Sequence, residues 1–248
     1  MWTEILPYIA IGFAAQMVDG AIGMAYGITS TTALLSIGVP PAVASACIHA
    51  AETFTTAASG LSHWKLGNFD RRLIIRLAIP GMIGGILGAY ILSQVNGDVI
   101  RPFISAYLLA LGIFILCKAY NGCVSRDANL NHVAPLGLFG GFVDAIGGGG
   151  WGPIVASTLL GRGAAPRTTI GSVNIAEFFV TLVISGTLIF TVGLSLWKII
   201  AGLVIGGIIA APFAALATRH IPARGLLTLV GCVICLVSAR SLWLTLMA

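Results

Sequence analysis

Long apolar segments alternate with short polar loops along the whole chain. A bilayer core about 30 Å thick is crossed by about 20 apolar residues rising 1.5 Å each. Segments of roughly that length run from Ala42 to Leu61, Leu73 to Val95, Phe103 to Tyr120, Thr168 to Phe190, Ile199 to Ala217 and Leu226 to Met247. Two further segments, Ile5 to Val39 and Val133 to Leu160, break the pattern. Each is interrupted by one acid followed by glycines, "DGAIGMAYG" from Asp19 to Gly27 and "DAIGGGGWG" from Asp144 to Gly152. As one straight helix the first would be about 52 Å long, too long for the core. The pattern therefore predicts two shorter helices packed as a re-entrant hairpin, with the glycines at its turn and Pro153 in the first turn of the returning helix. The second copy is shorter and could cross with a tilt, so length alone leaves it open.

Slid against itself by 125 residues, the chain aligns Asp19 with Asp144, Gly23 with Gly148, Gly27 with Gly152, Pro41 with Pro166, Glu52 with Glu177 and Phe54 with Phe179; one residue of gap later, Gly67 meets Gly193. So many uncommon residues in order at one offset mark a duplication. The expected repeats are 1–122 and 131–248, joined by a short cytoplasmic linker at 123–130. Charge then arbitrates topology. If both interrupted segments are hairpins, Lys65, Arg71, Arg72, Arg76, Lys118, Arg126, Arg162, Arg167, Arg219 and Arg224 share one face, against Arg101 and Lys198 opposite, with Arg240 inside a helix. The positive-inside rule favours that arrangement, which places both termini outside and inverts one half relative to the other. The expected fold class is an all-α polytopic membrane protein of two inverted repeats, each a glycine-interrupted segment plus three transmembrane helices.

Composition excludes most other classes. Hydrophobic residues make up 58% and charged residues 8%, and the mean hydropathy is +1.01, where soluble domains carry about 25% charge. The net charge of +5 suits loops facing anionic lipid; no basic cluster interleaved with aromatics suggests nucleic acid. No Lys or Arg precedes the first apolar run, so the N-terminus reads as mature sequence. The five cysteines read as packing residues; Cys232 and Cys235 have redox or metal spacing, but neither a second pair nor a neighbouring His completes a site.

Four of the eight acids lie within apolar segments, as the repeat pairs Asp19/Asp144 and Glu52/Glu177. An acid there is costly. The aspartates can cap the helix that follows the glycines. The glutamates have no cap to make and read, with the aspartates, as a proton relay, because a carboxyl in low dielectric holds its proton until substrate or water changes its surroundings. Exposed backbone N–H groups at the glycine turns, Gly20, Gly23 and Gly27 in one copy and Gly148, Gly149 and Gly152 in the other, can bind an anion. In an inverted repeat the two tips meet near the midplane, where transporters hold substrate. A nucleotide loop is excluded because no strand precedes the glycines and no Lys-Ser/Thr follows. Tyr26 and Trp151, aligned across the repeat, either pack or wall the pocket. Ser45 and His49 on one post-proline helix, and Asn174 on the other, add polar donors; His49 lies one turn from Glu52, as Asn174 does from Glu177. A His-x-x-Glu pair can bind metal, but Asn174 in the other copy is a poor ligand. Gln16, Thr29, Ser30, Thr31 and Thr32 default to interhelical hydrogen bonds, and Gly81, Gly84, Gly85, Gly88, Gly202, Gly206 and Gly207 to close helix packing.

The repeated pattern, "MVDGAIGMAYG" and "FVDAIGGGGWGP" followed by "PPAVASACIHAAETFTTAASG" and "APRTTIGSVNIAEFFVTLVISG", resembles the TauE/SafE family of sulfite exporters, over nearly the whole chain. The resemblance implies a non-enzymatic secondary transporter of the cell (inner or plasma) membrane that exports sulfite, sulfoacetate or related organosulfonates. The expected mechanism is alternating access, linked to protons, with no cofactor and with a homodimer left open. The weighed alternatives are a divalent metal-ion transporter and a membrane-embedded enzyme.

Overall fold

The computed structural model describes residues 2–22, 25–121, 132–162, 164–193, 197–217 and 223–247, and their regular structure is helical. The first half holds α1 (Trp2–Ile22), α2 (Tyr26–Ser36), α3 (Pro41–Lys65), α4 (Arg71–Gln94) and α5 (Gly97–Asn121). The second holds α6 (Val133–Gly147), a π-turn at Gly152–Ala156 that runs into α7 (Ser157–Gly161), then α8 (Pro166–Val192), α9 (Trp197–Ala217) and α10 (Ala223–Met247). The linker 123–130 lies outside the described residues.

The element boundaries keep the offset seen in the sequence. α1 and α6 end at Ile22 and Gly147, and α3 and α8 begin at Pro41 and Pro166, both 125 residues apart; α4 and α9, like α5 and α10, start 126 residues apart. The causes are local. Proline at the first helical position forfeits no hydrogen bond and fixes φ for the helix, so α3 and α8 begin there. Gly67 and Gly193, the aligned pair, follow the two helices at φ +65° and +92°, a conformation in which a side chain is strained. Asp70 caps α4, accepting from the N–H groups of Arg72 at 2.8 Å and Leu73 at 3.4 Å. Pro153 stands in the first turn after the second break, as its place in the sequence predicts.

Packing is exchanged between halves. α1 packs on α9 and α6 on α4, while α3 packs on α8 and α5 on α10, so swapping the halves leaves the pattern of contacts unchanged. One end of the bundle gathers the start of α1 beside α9, through Glu4 and Lys198, and the end of α2 beside α5, through Arg101 donating to the Leu35 carbonyl at 2.6 Å. The other end joins α3 to α8, where the Asp70 N–H donates to Ser172 at 2.8 Å, and α5 to α10, where Arg224 donates to the Tyr120 carbonyl at 3.4 Å.

Arg71–Gln94, Gly97–Tyr120 and Thr168–Val192 are long and apolar enough to cross a membrane; Val133–Gly147, Trp197–Ala210 and Gly231–Leu244 are shorter apolar stretches. α4 shows how such helices are sided. Ile75, Ile79, Ile83 and Tyr90 are exposed along one stripe, whereas Leu73, Leu77, Gly81, Gly84 and Gly88 are buried along the other. The exposed stripe is apolar because its solvent is lipid. The glycines face α6: a methyl on Gly141 would sit 2.9 Å from the Gly81 carbonyl carbon, and one on Gly137 2.7 Å from the Leu77 oxygen. Such spacing lets backbones touch where lipid supplies no hydrophobic force between helices.

Gly141→Ala therefore forces backbone apart and should lower the melting temperature in detergent, at a cost of about 1–3 kcal/mol. Gly186→Ala, where added carbon meets nothing within 4 Å, should leave it unchanged or raise it. Equal effects of the two would contradict the α4–α6 contact.

Candidate functional site

Each helix break leaves backbone N–H groups without an intrahelical partner, and inside a bilayer these must be satisfied by the protein. The aspartates do so. Asp19 Oδ1 accepts from the N–H groups of Ala25 at 2.9 Å and Tyr26 at 3.2 Å, and Asp144 Oδ1 accepts from that of Trp151 at 2.9 Å. The Asp144 carbonyl accepts from Gly149 at 3.2 Å, and Gly148 turns the chain at φ +64°.

The two breaks meet. A methyl on Gly27 would lie 2.7 Å from the Gly149 Cα and 2.9 Å from Glu52 Oε1. The Thr31 hydroxyl donates to the Gly148 carbonyl, and Tyr107 donates to the Gly149 carbonyl at 3.1 Å, so both α2 and α5 hold the second break in place.

Beside the meeting point lies a cavity of about 280 Å³. Asp19, Glu52, Asp144 and Glu177 all line it, with Tyr26, Gly27, Gly149, Trp151, Gly152 and Asn174 from the predicted set. Asn174 donates to Ser59 Oγ at 2.8 Å on its wall. Tyr26 and Trp151 both wall the cavity and pack: the Tyr26 hydroxyl donates to the Leu203 carbonyl at 3.2 Å and the Trp151 indole N–H to that of Val173 at 3.3 Å. Among the described residues, the wall contains no Lys or Arg; its one basic side chain is His63.

Ser45, His49 and Gly148 are placed differently. Ser45 and His49 are fully buried behind the wall. Ser45 Oγ donates to the Ala145 carbonyl at 2.6 Å, His49 Nδ1 lies 2.8 Å from the Ser45 carbonyl, and His49 Nε2 lies 3.1 Å from Asp144 Oδ2. The spacing in sequence paired His49 with Glu52; the fold pairs it with Asp144 of the other half. Gly148 supplies its carbonyl to Thr31. Gly20 falls in the last turn of α1, and Gly23 lies outside the described residues. Thr56, one of the polar residues that the sequence gathers on the post-proline helix with Glu52, lines the cavity too. Sequence reasoning missed Tyr107, Ser59, Thr55 and His63. The last three continue the face of α3 that carries Glu52, a periodicity that could have found them; nothing in sequence joins Tyr107 to a glycine 42 residues away. Among the described residues, no three of His, Cys, Asp and Glu are grouped to hold a metal ion.

Similarity to known proteins fits this arrangement. Residues 8–241 match the family described as "Sulfite exporter TauE/SafE". The "Probable membrane transporter protein YtnM" of Bacillus subtilis is 44% identical over 250 aligned positions, covering 96% of this chain and 83% of its own. A "Probable membrane transporter protein" of Haemophilus influenzae is 25% identical over 79% of each chain, and the "Sulfite exporter TauE/SafE family protein 3" of Arabidopsis thaliana is 26% identical over 48% of this chain and 25% of its own. No solved structure matches. A helical membrane chain whose two acid-and-glycine breaks meet at one cavity, and which matches one transporter family nearly from end to end, belongs to the TauE/SafE sulfite exporter family.

Proposed function

We propose that the protein exports a small sulfur oxyanion, sulfite or an organosulfonate such as sulfoacetate, by proton-linked alternating access across the cell membrane. The observation that carries this is the meeting of two capped helix breaks in one cavity whose break amides are already held by the protein's own carboxylates. Those amides are anion sites with an internal anion in place. As an oxyanion enters beside these amides a neighbouring carboxyl takes a proton, because four ionised carboxylates and a substrate anion in one small cavity repel strongly. Glu52 and Glu177, repeat mates on facing helices α3 and α8, are the groups we assign to carry that proton; Asp19 and Asp144 keep the breaks folded and can share it. Asn174 and the Tyr26 and Trp151 walls shape the pocket.

The inverted arrangement is supported by the contacts at the two ends of the bundle. α1 starts and α2 finishes at the end that holds Arg101 and Lys198, whereas α6 starts and α7 finishes at the end that holds Arg224 and Lys118, which donates to Ser157 at 2.9 Å. The positive-inside rule favours the second end as the cytoplasmic one. The presence of His63, near the end of α3, and Ile170, near the start of α8, in the cavity wall supports a mouth at that end, as expected of an exporter ready to load.

Single cysteines replacing Glu4 and Gly38 should label from the outer side and those replacing His132 and Ala164 from the cytoplasmic side; labelling of Glu4 and Gly38 from opposite sides would end the hairpin reading. In thermal-shift measurements sulfite or sulfoacetate should raise the melting temperature of purified protein, since a ligand of the folded state stabilises it. Stabilisation by divalent cations in their place would favour a cation transporter at the same carboxyls. In proteoliposomes, Glu52→Gln and Glu177→Gln should flatten the fall of flux with rising pH, because a neutral amide needs no proton to admit the anion. Unaltered pH profiles in both would remove the relay.

A further inference from the structure

Arg240 lies in α10 about two turns before its end, inside an apolar stretch, where a guanidinium is costly. It has no repeat counterpart: the offset of 126 that relates α5 to α10 sets Phe114 at its position, and Leu227 opposite Arg101. Both arginines line a second cavity of about 440 Å³ at the end of the bundle remote from His63, together with Ser36, Ser241 and the single acid Asp98. Arg101 already donates one N–H to the Leu35 carbonyl, which fixes its guanidinium at the end of α2.

This vestibule leads inward. A small cavity shares its Leu35, Ser36, Val237 and Ser241 and adds Thr32, Ser105 and Ser238 beneath. Ser105 and Ser241 bond each other at 2.9 Å, but Thr32 Oγ1 and Ser238 Oγ are buried with no hydrogen-bond partner among the described residues. Buried hydroxyls are ordinarily satisfied. One residue along α2 from Thr32, Thr31 holds the Gly148 carbonyl of the break itself. Hydroxyls between α2, α5 and α10 thus extend from the two arginines to Thr32, the neighbour in α2 of the threonine that holds the break.

We infer that Arg101 and Arg240 form an outer anion site, and that the hydroxyl seam along α2 is the closed exit route by which the oxyanion reaches it. The inference rests on the export reading above and adds the place where the anion is received. Its ligand chemistry is a sulfonate or phosphate group, supplied either by the substrate or by an anionic lipid; the seam favours the substrate.

The test uses the full chain in phosphatidylcholine vesicles, with its five native cysteines replaced by Ala and Ser36→Cys introduced on the vestibule wall. Reaction with an anionic, sulfonate-bearing thiosulfonate is compared with that of its trimethylammonium analogue. The anionic reagent should react preferentially, sulfoacetate should slow it, and Arg240→Gln alone or with Arg101→Gln should reduce the preference about fivefold, the order expected for losing a nearby charge. Absence of anion preference, or protection by added phosphatidylglycerol and not by sulfoacetate, overturns the exit site. Sulfoacetate efflux measured in parallel separates the two readings. Protection without efflux upholds the anion site and removes the exporter; efflux without protection does the reverse. Because Arg240→Gln leaves the Arg101 bond to α2 intact, a folding failure of the double variant does not blunt the test.

Discussion

Everything in this fold follows from the need to satisfy the backbone where a helix stops inside a membrane. A soluble protein can leave the ends of a broken helix to water. Here no water is at hand, and each break is closed by an aspartate from the helix that precedes it, Asp19 for α2 and Asp144 for the turn after Gly150. Those caps need the chain to fold back within a few residues, which is what the glycines permit. They also bring negative charge to the centre of the molecule, and the rest of the site is arranged around it.

The glycines serve a second purpose away from the breaks. α1 and α6 are held by α9 and α4 of the opposite halves through backbone-close contacts, as where a methyl on Gly12 would lie 2.7 Å from the Leu203 Cα. Neither half can make its own hairpin support. The long helices α3 and α8 cross between these pairs and carry Glu52 and Glu177 to the same cavity. Interlocking of this kind makes the two repeats one folding unit.

Much of this could be read from the chain before folding. The offset of the repeat was visible because membrane segments use few acids, glycines and prolines, so Asp19/Asp144 and Pro41/Pro166 stand out against an apolar background. The same economy located the breaks and the two glutamates. Contacts between halves were hidden. Asp144 as the partner of His49 depends on how α6 lies against α3, across 95 residues of chain, and the nearer Glu52 was the more obvious choice. Tyr107 went unread for a different reason: a tyrosine in a membrane helix has an ordinary packing role, and no periodicity distinguishes the one that reaches a glycine turn. Thr31 was expected to bond between helices, but its partner, the Gly148 carbonyl, was not legible.

His49 and Asn174 occupy equivalent positions in the two repeats and are used differently. The imidazole is sealed against Asp144 in one half, while the amide of the other stands at the open cavity beside Ser59. Two identical halves related by a two-fold axis would have two equivalent packings of equal energy, with nothing to prefer either. Divergence at positions such as this pair removes that equivalence, because only one arrangement seals an imidazole against a carboxyl. Two halves alike in their breaks thereby differ in how they are held shut: one is latched at its centre, and the other is left open on the cavity wall.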